Sequence, residues 1–158
     1  MNGPATTPTV FLLVAALFSG GCGGVKHFEL ASVDGKETYS NEMYKGKVLM
    51  LDYWATWCGP CRQLQPIVHE MADMYGKRGL VVLGVTDEAP GVIAKFVEQT
   101  PLGYPAVIDR GGRVAKQFHV QALPTVIVID RGGNVVFNEA GPDPKRVGEL
   151  LDRLLPAH

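Results

Sequence analysis

The chain predicts an α/β sandwich built around a mixed central sheet. Three observations carry this expectation. Two nearly continuous apolar runs, Lys47 to Trp54 (KVLMLDYW) and Gly79 to Thr86 (GLVVLGVT), read as strands buried on both faces. Segments with apolar residues three and four apart alternate with them, starting near Cys58, Pro90 and Asp143. A further run, Thr125 to Asp130 (TVIVID), turns at Arg131 to Asn134 and returns over Val135 to Asn138 as a hairpin.

The elements follow in order. His27 to Ser32 (HFELAS) alternates apolar and polar residues as a short strand does, and Asp34-Gly35 supplies a turn. Ser40 to Tyr44 reads as a single helical turn. The first buried strand comes next, interrupted by one acid, Asp52. A helix begins near Cys58 to Pro60 and runs to about Tyr75, with Leu64, Ile67, Val68 and Met71 on one face. Pro66 lies inside it, where its missing N–H should kink the helix. After the second buried strand, Pro90 to Gln99 is amphipathic and starts on proline. Tyr104 to Ile108 reads as a short strand and Gly112 to Phe118 as a short helix. Asp143 caps a final helix to Leu155, with Pro144 in its first turn and Val147, Leu150, Leu151 and Leu154 facing inward.

Composition bounds the rest. At 158 residues with 46% apolar content, the chain makes one domain with a core that needs no disulfide framework. Fifteen basic and sixteen acidic side chains leave a net charge of −1 with no basic run, so nucleic acid is not an expected partner. The first 21 residues contain no charged side chain. Val10 to Phe18 is apolar throughout, but at about 1.5 Å per residue it falls far short of a hydrocarbon core of about 30 Å. That length fits the apolar region of an export signal. The ending Ser19-Gly20-Gly21-Cys22 resembles a bacterial lipoprotein signal, in which the cysteine is lipidated and becomes the new N-terminus. The resulting division is a signal peptide over 1–21, a tether over 22–26 and a folded domain over 27–158. The membrane would then be touched only through the N-terminus, in a periplasmic or other extracytoplasmic compartment.

The stretch YWATWCGPCRQLQP, residues 53 to 66, holds Cys58 and Cys61. A tetrahedral zinc site needs about four ligands, and neither a second Cys-x-x-Cys nor a His-x3-5-His pair is present. A structural bridge between residues three apart closes a loop too small to gain much chain entropy. The residues therefore favour a redox pair. The spacing puts both sulfurs in the first turn of a helix that follows a buried strand, where partial positive charge from unpaired N–H groups stabilises a thiolate. Cys58, the more exposed, is the expected nucleophile and Cys61 the resolving thiol. Asp52, set among apolar residues, should have its proton affinity raised by burial and could accept the Cys61 proton through a water. His27, His69 and His119 have no partner visible in the sequence.

WCGPC after a buried strand resembles the active site of the thioredoxin superfamily, and the resemblance extends over Val25 to Ala157. Asp52, six residues before Cys58, stands where thioredoxins keep a buried aspartate. Pro66 falls where the family's active-site helix has a proline, and Leu123-Pro124-Thr125 resembles its cis-proline loop. The 37 residues between Thr86 and Pro124 resemble the helix-and-strand insertion of TlpA/ResA-like exported thiol-disulfide oxidoreductases, as does FELASVDGKETYSNEMYKGKVLMLDYWATWC. The resemblance implies a thioredoxin fold with an N-terminal strand or hairpin extension. It also implies a cis Pro124 beside the cysteines, with the backbone at Leu123 and Pro124 binding an extended substrate segment. Trp57 would shield the disulfide, and Gly59 and Pro60 would shape the turn and its redox potential.

Members of that branch are membrane-tethered reductases of selected disulfides, and some act on the haem-binding cysteines of apocytochrome c. Leu64 stands where many of them carry glutamate, which turns the reading from specialised cytochrome c maturation toward a general reductase. Its potential would lie near the thioredoxin value of about −270 mV, well below the −120 mV or so of a strong periplasmic oxidant. The implied partners are disulfide-bearing proteins and a membrane dithiol donor; the implied state is a monomer whose redox-active disulfide is its only redox group. Three rivals remain open: a thiol oxidase, a peroxiredoxin-like peroxidase lacking the usual Thr-x-x-Cys, and a non-enzymatic copper chaperone with an unusual cysteine spacing.

Overall fold

A computed structural model describes residues 24–155. The expected signal peptide over 1–21 and Cys22 lie outside the described residues. Seven strands form one sheet in the order β2-β1-β5-β4-β3-β6-β7. β1 (Glu29–Ser32) and β2 (Thr38–Ser40) make the N-terminal hairpin and are followed by a 3-10 turn over Asn41–Tyr44. β3 (Val48–Tyr53) and β4 (Leu80–Thr86) pair in parallel around α1 (Gly59–Gly76). α2 (Pro90–Gln99), β5 (Ala106–Ile108) and α3 (Arg113–Gln117) form the insertion, with β5 parallel to β4. β6 (Thr125–Ile129) runs antiparallel to β3 and to β7 (Val135–Ala140), and α4 (Pro144–Leu154) closes the chain. This is the mixed thioredoxin-like sheet with both expected additions.

β3 is buried along its whole length, so its alternation divides two cores. Val48 and Met50 pack with Val82, Val126 and Val128 against Leu64, Val68 and Met71 of α1 and Val147 and Leu151 of α4. Leu49, Leu51 and Tyr53 point the other way, toward Phe28, Leu30, Val114 and Phe118. Each fully buried Leu or Val contributes about 1.5–3 kcal/mol. Asp52 continues the Val48–Met50 face, toward α1.

Several boundaries differ from the sequence reading for local reasons. His27 and Phe28 precede β1; the Phe28 N–H donates to Asn41 Oδ1 at 3.0 Å and its ring packs edge-on against Phe118. Tyr104 and Pro105 do not join β5, because Gly103 has a positive φ of 80° and proline has no N–H to donate. Of the four α1 residues expected to face inward, Ile67 is exposed, while Gln65 takes a buried place beside Leu64 and Val68. In the last helix Leu150 and Leu154 are half-buried, and the fully buried residue at its end is Leu155. Asp143 caps α4 as expected, its side chain accepting from the Lys145 N–H at 3.0 Å.

Candidate active site

The site lies where β3 leaves the sheet. The Trp54 N–H donates to the Val85 carbonyl at 3.0 Å, and the Trp54 ring is buried against Phe96. The next three residues cross to α1. Thr56 is fixed at two points by Glu88, its N–H donating at 2.6 Å and its hydroxyl at 2.7 Å to the two carboxylate oxygens. Trp57 is thrown outward and is 72% exposed.

Cys58 is the N-cap of α1, with Gly59 and Pro60 in the first turn. Pro60 suits that position because an N–H there has no helical acceptor. Cys58 and Cys61 are joined as a disulfide with Cα atoms 5.3 Å apart. The Cys61 N–H donates to Cys58 Sγ at 3.2 Å. Both cysteines are buried, Cys58 at 4% exposed and Cys61 at 1%. They belong to one buried cluster with Trp54, Ile93 and Leu102, and Leu123 packs against it.

The Leu123–Pro124 peptide bond is cis. Pro60, Leu64 and Pro124 line a shallow groove with Gly141 and Pro142 from the end of β7. On the other side, Trp57, Tyr53, Asp109 and Leu123 border a cleft of about 290 Å³.

Asp52 is 1% exposed and sits opposite Gly84 of β4 and Val126 of β6. Burial penalises its charge and pushes its pKa up from 3.8 to about 6. One hydrogen bond opposes that rise: the Tyr104 hydroxyl donates to Asp52 Oδ2 at 2.8 Å. Burial and the neighbouring carboxylate push the Tyr104 phenol far above its usual value, so it remains a donor. A carboxyl group poised near neutrality can both take and return a proton.

Glu88 and Tyr104 were not visible as site residues in the sequence. Glu88 follows the carboxyl end of a buried parallel strand, a place where loops gather around a site. Tyr104 lies 52 residues from Asp52, and no local pattern links them. Two histidines do have neighbours that the sequence did not reveal: His27 Nε2 is 3.4 Å from Glu29 Oε1, and His69 Nε2 is 3.5 Å from Asp73 Oδ2. Among the described residues, no cluster of three or more His, Cys, Asp or Glu side chains gathers. No described helix is long and apolar enough to cross a membrane.

Residues 24–138 match the AhpC/TSA family model. The chain belongs to this family. It is 32% identical over 132 residues to the thiol-disulfide oxidoreductase ResA of Bacillus thuringiensis subsp. konkukian, covering 82% of this chain and 76% of that protein. It is 37% identical over 109 residues to ResA of Geobacillus thermodenitrificans, covering 68% of this chain and 62% of the relative. The exposed lipoprotein thioredoxin Etrx1 of Streptococcus pneumoniae superposes with a TM-score of 0.73 at 28% identity, over 82% of this chain and all of that one. With its Cys58–Cys61 couple, this AhpC/TSA member is a thioredoxin-fold thiol-disulfide oxidoreductase.

Proposed function

We propose that this oxidoreductase reduces disulfides of exported proteins, with Cys58 as nucleophile, Cys61 as resolving thiol and Asp52 as proton acceptor. The observation that carries the reading is Cys58 at the N-cap of α1 with the Cys61 N–H directed at its Sγ. In the dithiol form that N–H and the positive end of the helix favour a Cys58 thiolate.

The thiolate attacks one sulfur of a substrate disulfide. A Cys58–substrate S–S bond forms as the substrate bond breaks, and one substrate sulfur leaves as thiolate. Asp52 takes the Cys61 proton through a water, and the Cys61 sulfur attacks Cys58 Sγ. The enzyme disulfide closes, and the second substrate sulfur leaves. Two electrons have passed from the enzyme to the substrate. A membrane dithiol partner returns them by the same exchange in reverse.

Trp57 and the groove between Pro60 and Pro124 support docking of an extended, partly apolar segment, with the Leu123 backbone pairing to it as an added strand. Gly59 and Pro60 set the turn between the sulfurs. Leu64, an apolar neighbour in that groove, suits a general reductase better than one specialised for cytochrome c maturation. The sequence pattern ending at Cys22 supports a lipid-anchored, extracytoplasmic monomer, and the Streptococcus pneumoniae relative is itself described as an exposed lipoprotein.

Trapping tests the reading. Cys61→Ser should accumulate a mixed disulfide between Cys58 and its protein substrates, visible on non-reducing gels and mapped by mass spectrometry. Adducts that persist in Cys58→Ser would overturn the assignment of the nucleophile.

A further inference from the structure

We propose that Tyr104 is the positioning residue for Asp52, and that it reaches the carboxylate only because Gly84 leaves β4 without a side chain between them. The proposal rests on the proton-acceptor reading of Asp52 and extends it to the insertion that precedes the cis-proline loop.

The geometry is specific. Gly84 is the β4 residue directly opposite Asp52, and it lies on the sheet face that carries Leu80 and Val82 against α1. A methyl group at Gly84 would stand 2.9 Å from Trp54 Nε1, 3.0 Å from Tyr104 Cε2 and 3.3 Å from Leu102 Cδ1. Carbon atoms pack at about 3.5–4.0 Å, so the buried Trp54 and Leu102 and the half-buried Tyr104 already fill the space a Cβ would need. The Tyr104 ring therefore crosses β4 over a gap, and its hydroxyl arrives at Asp52 Oδ2 at 2.8 Å. Tyr104 packs against both the α1–α4 core and the cluster containing the two cysteines.

Two contacts fix the approach. The Gly84 N–H donates to the Pro105 carbonyl at 2.9 Å, which pins the chain immediately after Tyr104. Gly103, at φ +80°, turns the chain just before it, and a Cβ there would overlap the imidazole of His69 on α1. The insertion thus does more than widen the sheet; it delivers one hydroxyl to a buried acid 52 residues earlier.

Among the described residues, the Tyr104 hydroxyl is the side-chain donor hydrogen-bonded to Asp52, and it opposes the effect of burial. α1 brings Cys58 and Cys61 to this corner, joined to each other, and His69 beside Gly103 with Asp73 as its neighbour. β4 and β6 offer only Gly84 and Val126 opposite the carboxylate. A donor to the charged form favours ionisation, so Tyr104 holds Asp52 competent to accept a proton near neutral pH.

Tyr104→Phe removes the hydroxyl and keeps the ring, so the core is preserved. The Asp52 carboxyl is followed by carbon-13 NMR titration of the oxidised protein. The single-turnover rate of insulin disulfide reduction is measured from pH 5 to 9 in parallel. The expected result is an upward move of the Asp52 midpoint by about one unit, with the rising limb of the rate moving equally. From a midpoint of about 6, that lowers the rate at pH 6 about fivefold and leaves it unchanged at pH 9. A folded Gly84→Ala protein should show the same shift, and a wild-type titration there would overturn the role given to Gly84. A folded Tyr104→Phe protein whose titration and rate profile both match wild type would overturn the proposal. Asp52→Asn separates the two readings: an unchanged rate would remove Asp52 as proton acceptor while the NMR shift still placed Tyr104 as its anchor.

Discussion

Replacing Asp52 with asparagine should stabilise the folded protein at neutral pH, although it removes a side chain from the centre of the site. Burial raises the Asp52 pKa from 3.8 to about 6, so the folded chain binds the proton more tightly than the unfolded chain does. Below about pH 3 both states carry the proton and the group's titration has no effect on stability. As pH climbs from 3.8 to about 6 the unfolded chain releases its proton first, and folding loses free energy steadily. Above that window the full penalty of a buried charge is in place. A shift of about two units at 1.36 kcal/mol each gives ~3 kcal/mol. Asparagine has the same shape, never ionises, and leaves the Tyr104 hydroxyl an acceptor. Urea denaturation of the oxidised proteins reads the difference. Asp52→Asn should exceed wild type by up to ~3 kcal/mol at pH 7–8 and match it near pH 3. Equal stability at pH 8, or a gap that does not change with pH, would refute the reasoning.

Other perturbations separate the parts of the site. Glu88→Ala leaves the Thr56 N–H and hydroxyl without their partner, and should lower stability by about 2 kcal/mol in the same urea assay. Trp57→Ala removes an exposed ring, so stability should change by less than about 0.5 kcal/mol. It should raise KM for a protein disulfide about tenfold while sparing a small aromatic disulfide, because loss of a central aromatic contact costs about 1–2 kcal/mol of docking. Stopped-flow kinetics with both substrates would measure that split.

Much of this site was legible because its pieces are local. WCGPC fixes the two sulfurs to a helix start, and Pro60 marks its first turn. The run KVLMLDYW marks β3 as central, so Asp52 within it reads as a buried acid, and the structure buries it. The cis bond at Leu123–Pro124 followed from family likeness, since spacing alone cannot specify an isomer. What stayed hidden depends on contacts between distant segments. Tyr104 reads as the start of a strand until Gly103 and Pro105 are seen to break the pairing. Gly84 reads as a small residue in an apolar strand until the ring above it is seen. β2 is only three residues long, too short for its period to register. Ile67 looked like core by its spacing alone, yet it is exposed, and Gln65 takes a buried place beside Leu64 and Val68.

The account is tested most directly by the reactivity of the reduced protein toward iodoacetamide as a function of pH, with the modified residue identified by peptide mass spectrometry. Cys58 should be alkylated first, with a rate midpoint near pH 7, well below the 8.5 or so of a free thiol. A midpoint at or above that of a free thiol, or alkylation of Cys61 ahead of Cys58, would contradict the assignment of the helix-capping sulfur as the attacking group.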